Sequence, residues 1–367
     1  MADEDCDRYV GNVPGNLKMH YIVDQLKASG NTPEIISFCR SRSNRGFYLS
    51  ESKKSQDCQL RYLGGFSGLG RLGTKLDFII KKVLFIFWLF FKVKSEDTIV
   101  LYHSVALTNL LAKLRKFVKR HVILEVEEVY GYAAVGDRPW VDKEIESIKQ
   151  MDAHICVNDG MLHKLSLDSK KFVANYGVGV FPERRVQRFS DGKVHVVYAG
   201  TIEMKKLGAL TAVESAAYFP DNFILHILGF GTEENMDKLK KKINDINSKA
   251  GCAKVEYNGY KTGSELDDFL FSCHIGLSSN VMRPNFANFT FPSKVITYMC
   301  HDLSVVLGYA EAFYNVPISQ GWSFYHEFKP EIIAKAVAGV EIKPIGYYQK
   351  YINQMNDNLQ SFLKKNC

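Results

Sequence analysis

Residues 194–231 of the 367-residue chain read VHVVYAGTIEMKKLGALTAVESAAYFPDNFILHILGFG. Two short apolar runs, 194–198 and 223–228, enclose a helical pattern at 208–218, and a glycine follows soon after each run. A strand, a helix and a second strand in this order predict a βαβ unit whose strands lie parallel in one sheet. The stretch therefore indicates the α/β fold class.

The same alternation extends from this stretch in both directions. Strand-like runs lie at 33–39, 98–103, 121–126, 153–157 and 171–175 before it, and at 254–257, 275–278 and 303–307 after it. Helical patterns separate them, at 17–29, 76–93, 106–119, 141–150, 160–165, 233–247, 264–272 and 293–300. Because 367 residues suffice for about two domains, the pattern predicts two doubly wound domains in series.

A polar stretch at 181–193, which contains Pro182 and Gly192, separates the two halves. We therefore predict an N-terminal Rossmann-like domain over 1–182 and a second one over 183–340. A helical pattern at 347–365 predicts that residues 341–367 form a C-terminal helix packing back across the cleft between the domains. Residues 1–10 contain no apolar strand, so the first strand is expected to be absent or to precede Met1.

Charge and cysteine usage limit the compartment and the partners. The net charge is +7, but residues 71–120 alone carry eleven basic and three acidic side chains. The eight cysteines form no C-x-x-C pair, which indicates a reduced, cytoplasmic protein without a zinc site. The acidic N-terminus differs from a signal peptide, which would be basic and then apolar.

The most apolar stretch, LDFIIKKVLFIFWLFFKV at 76–93, is interrupted by Lys81 and Lys82. Its longest charge-free run has nine residues, too few to span a bilayer. On a helix, Lys75, Lys81, Lys82 and Lys92 fall within one arc of about 120°. Two interpretations stay open: a helix lying on an anionic membrane surface, and a buried helix with snorkelling lysines. Aromatic residues do not alternate with arginines here, so a nucleic-acid partner is not expected.

The second half contains an ordered set of motifs. Tyr198-Ala-Gly-Thr201 precedes Lys205-Lys206, Leu228-Gly-Phe-Gly231 follows, and Asn288-Phe-Thr-Phe-Pro-Ser-Lys-Val-Ile-Thr-Tyr-Met299 comes later. In this order they resemble the donor-binding half of the family 4 (group 1) glycosyltransferases of the GT-B fold. That family has a strand ending in Gly, a basic residue for the diphosphate, a Gly-x-Gly turn and a Phe-Pro-Ser-Lys-x-x-Glu-Tyr segment.

The resemblance implies a set of donor-binding residues: Gly200, Thr201, Lys205, Lys206, Gly231, Phe291, Pro292, Ser293, Lys294 and Thr297. Lysines there would face the diphosphate, whose negative charge grows as the glycosidic bond breaks. Ser293 is expected to cap the helix that follows it. Thr297 and Phe289 stand where the family has two glutamates, which predicts an unusual donor or reduced activity. For any one of these lysines, an ordinary solvated surface position is equally compatible with the sequence.

In the first half, residues 11–26 resemble the acceptor-side glycine-rich loop and first helix, with Gly15 and Asn16 in the loop. Many members of that family have a His or an acidic residue just beyond the central strand, facing the sugar. The matching positions here are Glu127 and Glu128, with His103 at the end of the neighbouring strand, so the resemblance implies these three as catalytic residues. Strand alternation sends Glu125 and Glu127 to one side and Glu128 to the other, which favours Glu127. Alternatively, these acids pair with the nearby basic segment.

The resemblance implies two Rossmann-like domains with the active site in the cleft between them. It implies a hexosyltransferase-type enzyme that moves a sugar from a nucleotide-diphosphate sugar to a lipid-linked or polysaccharide acceptor, retaining the configuration without metal or other cofactor. The basic, apolar segment suggests an anionic membrane surface as a partner, a place at the inner face of the membrane, and surface-glycan synthesis. The alternatives are a non-catalytic GT-B scaffold and, less favoured, a nucleotide-sugar epimerase.

Overall fold

The computed structural model describes residues 9–10, 13–42, 46–55, 58–133, 138–204, 207–249, 251–280, 287–314 and 316–367. The chain divides into two units. Unit 1 comprises residues 1–156, 161–175 and 356–367, and unit 2 comprises residues 157–160 and 176–355. The predicted domain boundary, between Pro182 and Glu183, falls a few residues after the main crossing between the units.

Unit 1 contains a four-stranded parallel sheet whose neighbouring strands are, in order, 172–174, 153–156, 122–126 and 99–102. Its elements in chain order are β1 (Tyr9–Val10), α1 (Val13–Ala28), β2 (Glu34–Ser37), β3 (Arg40–Ser41), β4 (Gly46–Tyr48), β5 (Glu51–Ser55), β6 (Cys58–Tyr62), β7 (Gly65–Ser67), α2 (Gly70–Phe91), β8 (Ile99–Tyr102), α3 (Val105–Leu114), β9 (Val122–Val126), α4 (Tyr130–Ala133), α5 (Val141–Lys149), β10 (Ala153–Cys156), α6 (Gly160–Lys164) and β11 (Phe172–Ala174). All five residues of β9 are buried because the strand has neighbours on both sides. The predicted strands from 98 onward are confirmed.

Residues 34–67 depart from the expected alternation. Here β2, β6 and β5 form a separate three-stranded sheet, and β4 pairs with β7 in antiparallel fashion. A short first strand does exist: β1 precedes α1, but it pairs with β3 outside the parallel sheet. The sequence of β5, ESKKS, does not look like a strand because its charged residues belong to an exposed edge.

The predicted acceptor-side loop needs a correction, because Gly15 and Asn16 lie in the first turn of α1. Pro14 explains the early start of this helix: proline is favoured in a first turn, where its fixed φ is helical and its missing N–H has no partner to lose.

Helix α2 has one face in the core and another face outside. Its buried residues are Gly73, Asp77, Lys81, Phe85 and Leu89. Lys81 therefore does not belong to an exposed lysine arc: its Nζ donates to Asp77 Oδ2 at 3.0 Å and to the carbonyls of Phe38 and Cys39. Within the described ranges, none of the helices combines the length and apolarity that crossing a bilayer requires.

Unit 2 contains a six-stranded, entirely parallel sheet whose neighbouring strands are, in order, 254–257, 223–228, 194–199, 275–278, 304–308 and 323–325. Its elements are β12 (Val194–Ala199), α7 (Gly208–Ser215), β13 (Phe223–Leu228), α8 (Glu233–Asn247), β14 (Lys254–Tyr257), α9 (Gly263–Ser272), β15 (Ile275–Ser278), α10 (Lys294–Cys300), β16 (Ser304–Gly308), α11 (Glu311–Tyr314), β17 (Ser323–Tyr325), α12 (Pro330–Ala338) and the start of α13 (Gln349–Asn366). Counted from β12, this is the order 3-2-1-4-5-6 of doubly wound nucleotide-binding domains.

Helices α7, α8 and α12 pack against the sheet of unit 2 through a core of aliphatic and aromatic side chains. The predicted βαβ unit is present, with β13 and α8 at the predicted residues and α7 continued by a 3-10 turn at Ala216–Tyr218. Elements β17 and α12 were not predicted. The final helix α13 lies where a C-terminal helix was expected, and its residues from Asn356 onward group with unit 1.

Candidate functional site

The strand order of unit 2 reverses between β12 and β15. In open parallel sheets, ligands bind outside the carboxyl ends of the strands at such a point, where the neighbouring connections diverge. At this edge β12 leads into Gly200 and Thr201, and β15 leads into Ser279 and Asn280. The predicted donor residues at 200–201 therefore lie at the place where the topology favours a ligand.

Glycines keep this edge open. The backbone of Gly229 has φ +147°, and a Cβ there would lie 1.9 Å from the carbonyl oxygen of Gly200. A Cβ on Gly231 would lie 2.4 Å from the carbonyl oxygen of Ile202. Larger residues would push the turns after β12 and β13 apart, so glycine is required at both positions. The predicted Gly-x-Gly turn thus has a steric cause within the fold.

Lys294 reaches the same edge from the start of α10. Its Nζ lies 4.2 Å from the centre of the Tyr198 ring, and 3.2 Å from the point that a Cβ of Gly200 would occupy. A cation over an aromatic face is held by the ring quadrupole, so Tyr198 positions this ammonium group. Thr201 is exposed nearby in the chain, whereas Lys205 and Lys206 lie outside the described residues.

Two buried tyrosines fix the strand ends around this edge. The hydroxyl of Tyr298 accepts the amide N–H of Ala199 at 3.0 Å and donates to the carbonyl of Leu277 at 3.3 Å. The hydroxyl of Tyr325 accepts the amide N–H of Asn280 at 3.0 Å. Burial raises the pKa of both phenols, which keeps them neutral donors. Tyr325 was missed at the sequence level, since a lone tyrosine in an unpredicted strand carries no signal.

The predicted cap at Ser293 is wrong in one respect. Ser293 directly precedes α10, but its φ of −51° and ψ of −26° are helical and its side chain makes no cap hydrogen bond. A capping side chain needs an extended backbone at this position. Phe291, two residues earlier, is buried in tilted or edge-on ring contacts with Tyr176, Phe313 and Trp322, which anchor the segment. Pro292 is half-buried.

Phe289 and Thr297 stand at the two positions where the family 4 glycosyltransferases have glutamates. Phe289 is 7% exposed and Thr297 is half-buried. Neither side chain can supply a negative charge to a bound ligand. The sequence departure is thus also a structural one, because a buried phenyl ring occupies the first of these positions.

Unit 1 holds a second polar cluster, which we call the lysine–carboxylate cluster: Lys18, Glu125, Glu127 and Asn175. Lys18 Nζ lies 3.2 Å from Glu127 Oε1, 3.7 Å from Glu125 Oε1 and 2.5 Å from Asn175 Oδ1. Glu127 follows β9, and Asn175 follows β11, so the cluster lies at the carboxyl edge of the parallel sheet.

Within this cluster the two carboxyl groups differ. Glu125 is 2% exposed, and burial together with the charge of Glu127 raises its pKa well above the ordinary value. The side chain of Glu127 is 24% exposed and pairs with the lysine. We conclude that burial disfavours the ionised form of Glu125, whereas Glu127, which pairs with Lys18, is the carboxyl group that a ligand could reach.

Lys18 was not predicted, although the sequence contains a signal for it. Most of the buried side chains of α1 recur at helical spacing, namely Lys18, Tyr21, Ile22, Gln25 and Leu26, and Val23 is buried beside them. A lysine on the core face of a helix needs a buried partner of opposite charge. Glu127 provides that partner, and Tyr21 continues the network by accepting an N–H from Asn175.

The other predicted catalytic residues are His103 and Glu128, and the side chain of His103 is engaged outside this cluster. His103 is buried, with Nδ1 2.8 Å from Thr108 Oγ1 and Nε2 2.8 Å from Glu144 Oε1. Glu144 also accepts the amide N–H groups of Tyr130 and Gly131, so both ring nitrogens of His103 belong to a satisfied internal network. Glu128 is half-buried, one residue beyond Glu127.

Comparison with solved structures shows what this architecture resembles. A UDP-forming α,α-trehalose-phosphate synthase from Burkholderia xenovorans has a TM-score of 0.64 at 12% identity, covering 94% of each chain. A structure described as trehalose-6-phosphate from E. coli bound with UDP-2-fluoro glucose has a TM-score of 0.63 at 10% identity, covering 95% of this chain and 92% of that chain.

The lipopolysaccharide outer core galactosyltransferase WaaB in its apo form has a TM-score of 0.58 at 14% identity, covering 97% of this chain and 94% of that chain. No protein-family model and no curated protein matches the sequence. At such low identity the likeness concerns the fold. Since these neighbours share the architecture of two Rossmann-like domains, the chain has the GT-B fold of the nucleotide-sugar glycosyltransferases.

Proposed function

We propose that the chain is a hexosyltransferase-type glycosyltransferase, which moves a sugar from a nucleotide-diphosphate sugar to a lipid-linked or polysaccharide acceptor. The observation that carries this proposal is the Lys294 ammonium group beside Gly200, at the point of unit 2 where the strand order reverses. The glycine backbone leaves room for phosphate oxygens, and the lysine supplies a positive charge. Fold neighbours with UDP or a UDP-sugar in their descriptions support it.

The proposed reaction breaks the bond between the anomeric carbon and the diphosphate oxygen, and the acceptor hydroxyl forms the new bond on the same face. Negative charge grows on the diphosphate as it leaves. Lys294, with Lys205 or Lys206 as predicted donors from the preceding loop, would stabilise that charge, so no metal is required. The acceptor's proton passes to the departing phosphate, and the configuration is retained.

For unit 1 we propose that Glu127 contacts the sugar or its acceptor, in preference to Glu128 and His103. Lys18 holds the Glu127 carboxylate, and the exposed part of this side chain is available to a hydroxyl group. Both ring nitrogens of His103 are already hydrogen-bonded, to Thr108 and to Glu144. The acceptor-side role predicted for Gly15 and Asn16 then belongs to the first turn of α1 rather than to a loop.

The proposed setting is the cytoplasm at the inner face of a membrane, in the synthesis of a surface glycan. The basic segment 71–120 supports an anionic membrane surface as a partner, and the likeness to WaaB, described as a lipopolysaccharide outer core galactosyltransferase, supports a surface-glycan acceptor. No nucleic-acid partner is proposed, and no cofactor besides the donor.

The first test is donor binding. Calorimetric titration with UDP-glucose, UDP-galactose, GDP-mannose and ADP-glucose should find a donor whose affinity falls about 10- to 100-fold in Lys294→Ala, because a charged hydrogen-bond donor to phosphate is removed. Lys240→Ala, on the exposed side of α8, is the matched control and should bind like wild type. Equal affinities of the two variants would remove Lys294 from the donor site.

A non-catalytic GT-B scaffold is the second candidate, favoured by the buried Phe289 and the neutral Thr297. The two are separated by following nucleotide-diphosphate release with and without lipid-linked acceptor. Release that depends on an acceptor supports the transferase, and donor binding without any turnover supports the scaffold. Turnover of the sugar without acceptor would instead indicate an epimerase.

A further inference from the structure

Helix α2 presents a continuous apolar face to the outside of unit 1. On this face five large apolar side chains are each more than half exposed: Leu72, Ile79, Val83, Phe87 and Phe91. Their spacing of four or seven residues puts them on one side of a helix that is 22 residues long. Exposed apolar residues usually occur singly on a soluble surface, so a row of five marks a contact surface.

The opposite side of α2 is fixed to the body of unit 1, so the exposed row is not the result of a loosely held helix. Phe85 packs edge-on against Phe38 with ring centres 5.4 Å apart. Asp77 Oδ1 accepts the hydroxyl of Tyr48 at 2.8 Å and the amide N–H of Phe66 at 2.9 Å. The helix therefore has a set orientation, with its apolar row facing away from its own core.

Basic residues border this apolar face. At 100° per residue, Arg71, Lys75 and Lys82 follow each other along one side of it. At the other end of the helix, Lys92 and Lys94 are exposed, and Arg120 joins them by donating from Nη2 to the carbonyl of Val93 at 2.7 Å. The single acid of α2, Asp77, is buried with Lys81 and does not offset these charges.

The N-terminal end of α2 opens onto a basic pocket. This open pocket has a volume of about 510 Å³, and Arg40, Arg42, Phe66 and Leu69 are among its lining residues. Arg40 is held in place by donating from Nη1 to Thr74 Oγ1 of α2 at 2.7 Å. Leu69 is strongly exposed and directly precedes the helix, so it joins the pocket to the apolar face. Two guanidinium groups beside an apolar edge suit a phosphate attached to an acyl chain.

We propose that the exposed face of α2 is a membrane-contact surface that inserts into the interface of a bilayer rich in anionic lipids, with the Arg40–Arg42 pocket receiving headgroup phosphate. The apolar row enters the acyl boundary while the bordering lysines and arginines remain at the headgroups. This inference deepens, and in that respect rests on, the membrane partner of the proposed function. It assigns the contact to the apolar side of the helix rather than to an arc of lysines.

The test is flotation of the full chain with vesicles of phosphatidylcholine alone or with about one-third phosphatidylglycerol. Wild type should float with the anionic vesicles, and high salt should weaken the binding. Val83→Asp should weaken it about tenfold, because a charge replaces an inserted apolar group. The matched control is Val180→Asp in unit 2, which should bind the vesicles like wild type. Val180 is 56% exposed and Val83 60% exposed, so neither change should lower the free energy of unfolding much.

Three outcomes overturn the inference: wild type that floats with neither vesicle, Val83→Asp that floats like wild type, or a concentration-dependent dimer that Val83→Asp dissociates without any vesicle binding. The Arg40→Ala/Arg42→Ala double variant should lose affinity for the anionic vesicles, and free inorganic phosphate at millimolar concentration should not compete. Nucleotide-sugar binding by Val83→Asp, measured by calorimetry, should equal that of wild type. A failure of membrane binding is thereby separated from a failure of the donor site.

Discussion

Lys18 shows how a single buried charge organises one edge of a sheet. Lys18 is 4% exposed, and its ammonium group lies between the carboxyl groups of Glu125 and Glu127 and the side-chain oxygen of Asn175. A buried cation of this kind is tolerated only with a partner, and the partner must be ionised. Glu127, the nearer of the two carboxyl groups, is that partner, and burial disfavours a second charge on Glu125.

We expect Lys18→Met to lower the free energy of unfolding by about 3–5 kcal/mol, because the buried partners lose their counter-charge. Glu125→Gln should change it by less than about 1 kcal/mol, since burial already disfavours a charge at this position and the amide has the same shape without one. Urea unfolding measures both. Lys27→Met, on the same helix, is the control: its 3.9 Å ion pair with Asp24 is partly exposed, so the change should cost less than about 1 kcal/mol. A Lys18→Met variant as stable as this control would contradict the assigned charges.

The raised pKa of Glu125 also predicts a pH dependence. Its ordinary value is 4.5, and burial holds the proton on the folded protein to higher pH than on the unfolded chain. Stability is therefore lost as pH rises from about 4.5 toward the folded-state pKa. Glu125→Gln cannot ionise, so its stability relative to wild type should increase over that window in urea titrations. A difference that stays constant with pH would show that Glu125 is ionised in the folded state.

At this scale the sequence predicted part of the site. Glu127 and Lys294 could be found because each follows a recognisable strand or motif. Lys18 was missed: its position on the core face of α1 marks it as buried, but its partner lies more than a hundred residues away in the chain. The capping role of Ser293 failed for a local reason, the helical backbone at that position, which sequence type alone does not determine.

Secondary elements were predictable where the periodicity is strong and both ends are marked. The boundaries of β13, α8, β14 and β15 coincide with the predicted ones. Residues 46–67 were not predicted as strands. The three-residue strands β4 and β7 and the charged edge strand β5 leave little periodicity to detect, whereas β6, CQLRY, does alternate and was overlooked. In α2 the helix was predicted, but which lysine is buried was decided by Asp77, one turn earlier.

The adjacent lysines of α2 offer a direct test of that difference. Lys81→Met should reduce stability by about 3 kcal/mol or more, because Asp77 then remains buried without its counter-charge. Lys82→Met, one residue further on the outer side, should change stability by less than about 0.5 kcal/mol. Thermal and urea unfolding provide the measurement. Equal effects at the two positions would mean that Lys81 is not paired in the core.

For the molecule as a whole, the alternation of strands and helices sufficed to predict two doubly wound domains. The six-stranded sheet of unit 2 matches that expectation more closely than the sheets of unit 1. The difference has a physical origin. All six strands of unit 2 are parallel and are joined by crossover connections, whereas unit 1 adds antiparallel pairs of short strands. Strands of two to five residues give a weaker periodic signal in the sequence.

If the donor binds to unit 2, ligand stabilisation should be local. Hydrogen exchange with UDP at about 100-fold excess over its dissociation constant should protect peptides over β12 and β15 by up to about 2.7 kcal/mol, because binding favours the folded state of that unit. Peptides over β9 should change less. Lys294→Ala should lose the protection, and Lys240→Ala should retain it. Protection confined to unit 1 would show that the nucleotide binds there and would contradict a donor site on unit 2.

Helix α13 has a consequence for the order in which the chain matures. Its residues from Asn356 onward belong to unit 1, where Asn356 accepts the hydroxyl of Tyr21 at 2.7 Å and Gln360 donates to Gln25 Oε1 at 2.9 Å. During synthesis the whole of unit 2 is made before these partners of α1. The first-made unit is therefore the last to be completed, against the usual N-terminal-first sequence of maturation. Nascent chains stalled before residue 356 would expose the surface of α1 that awaits this helix.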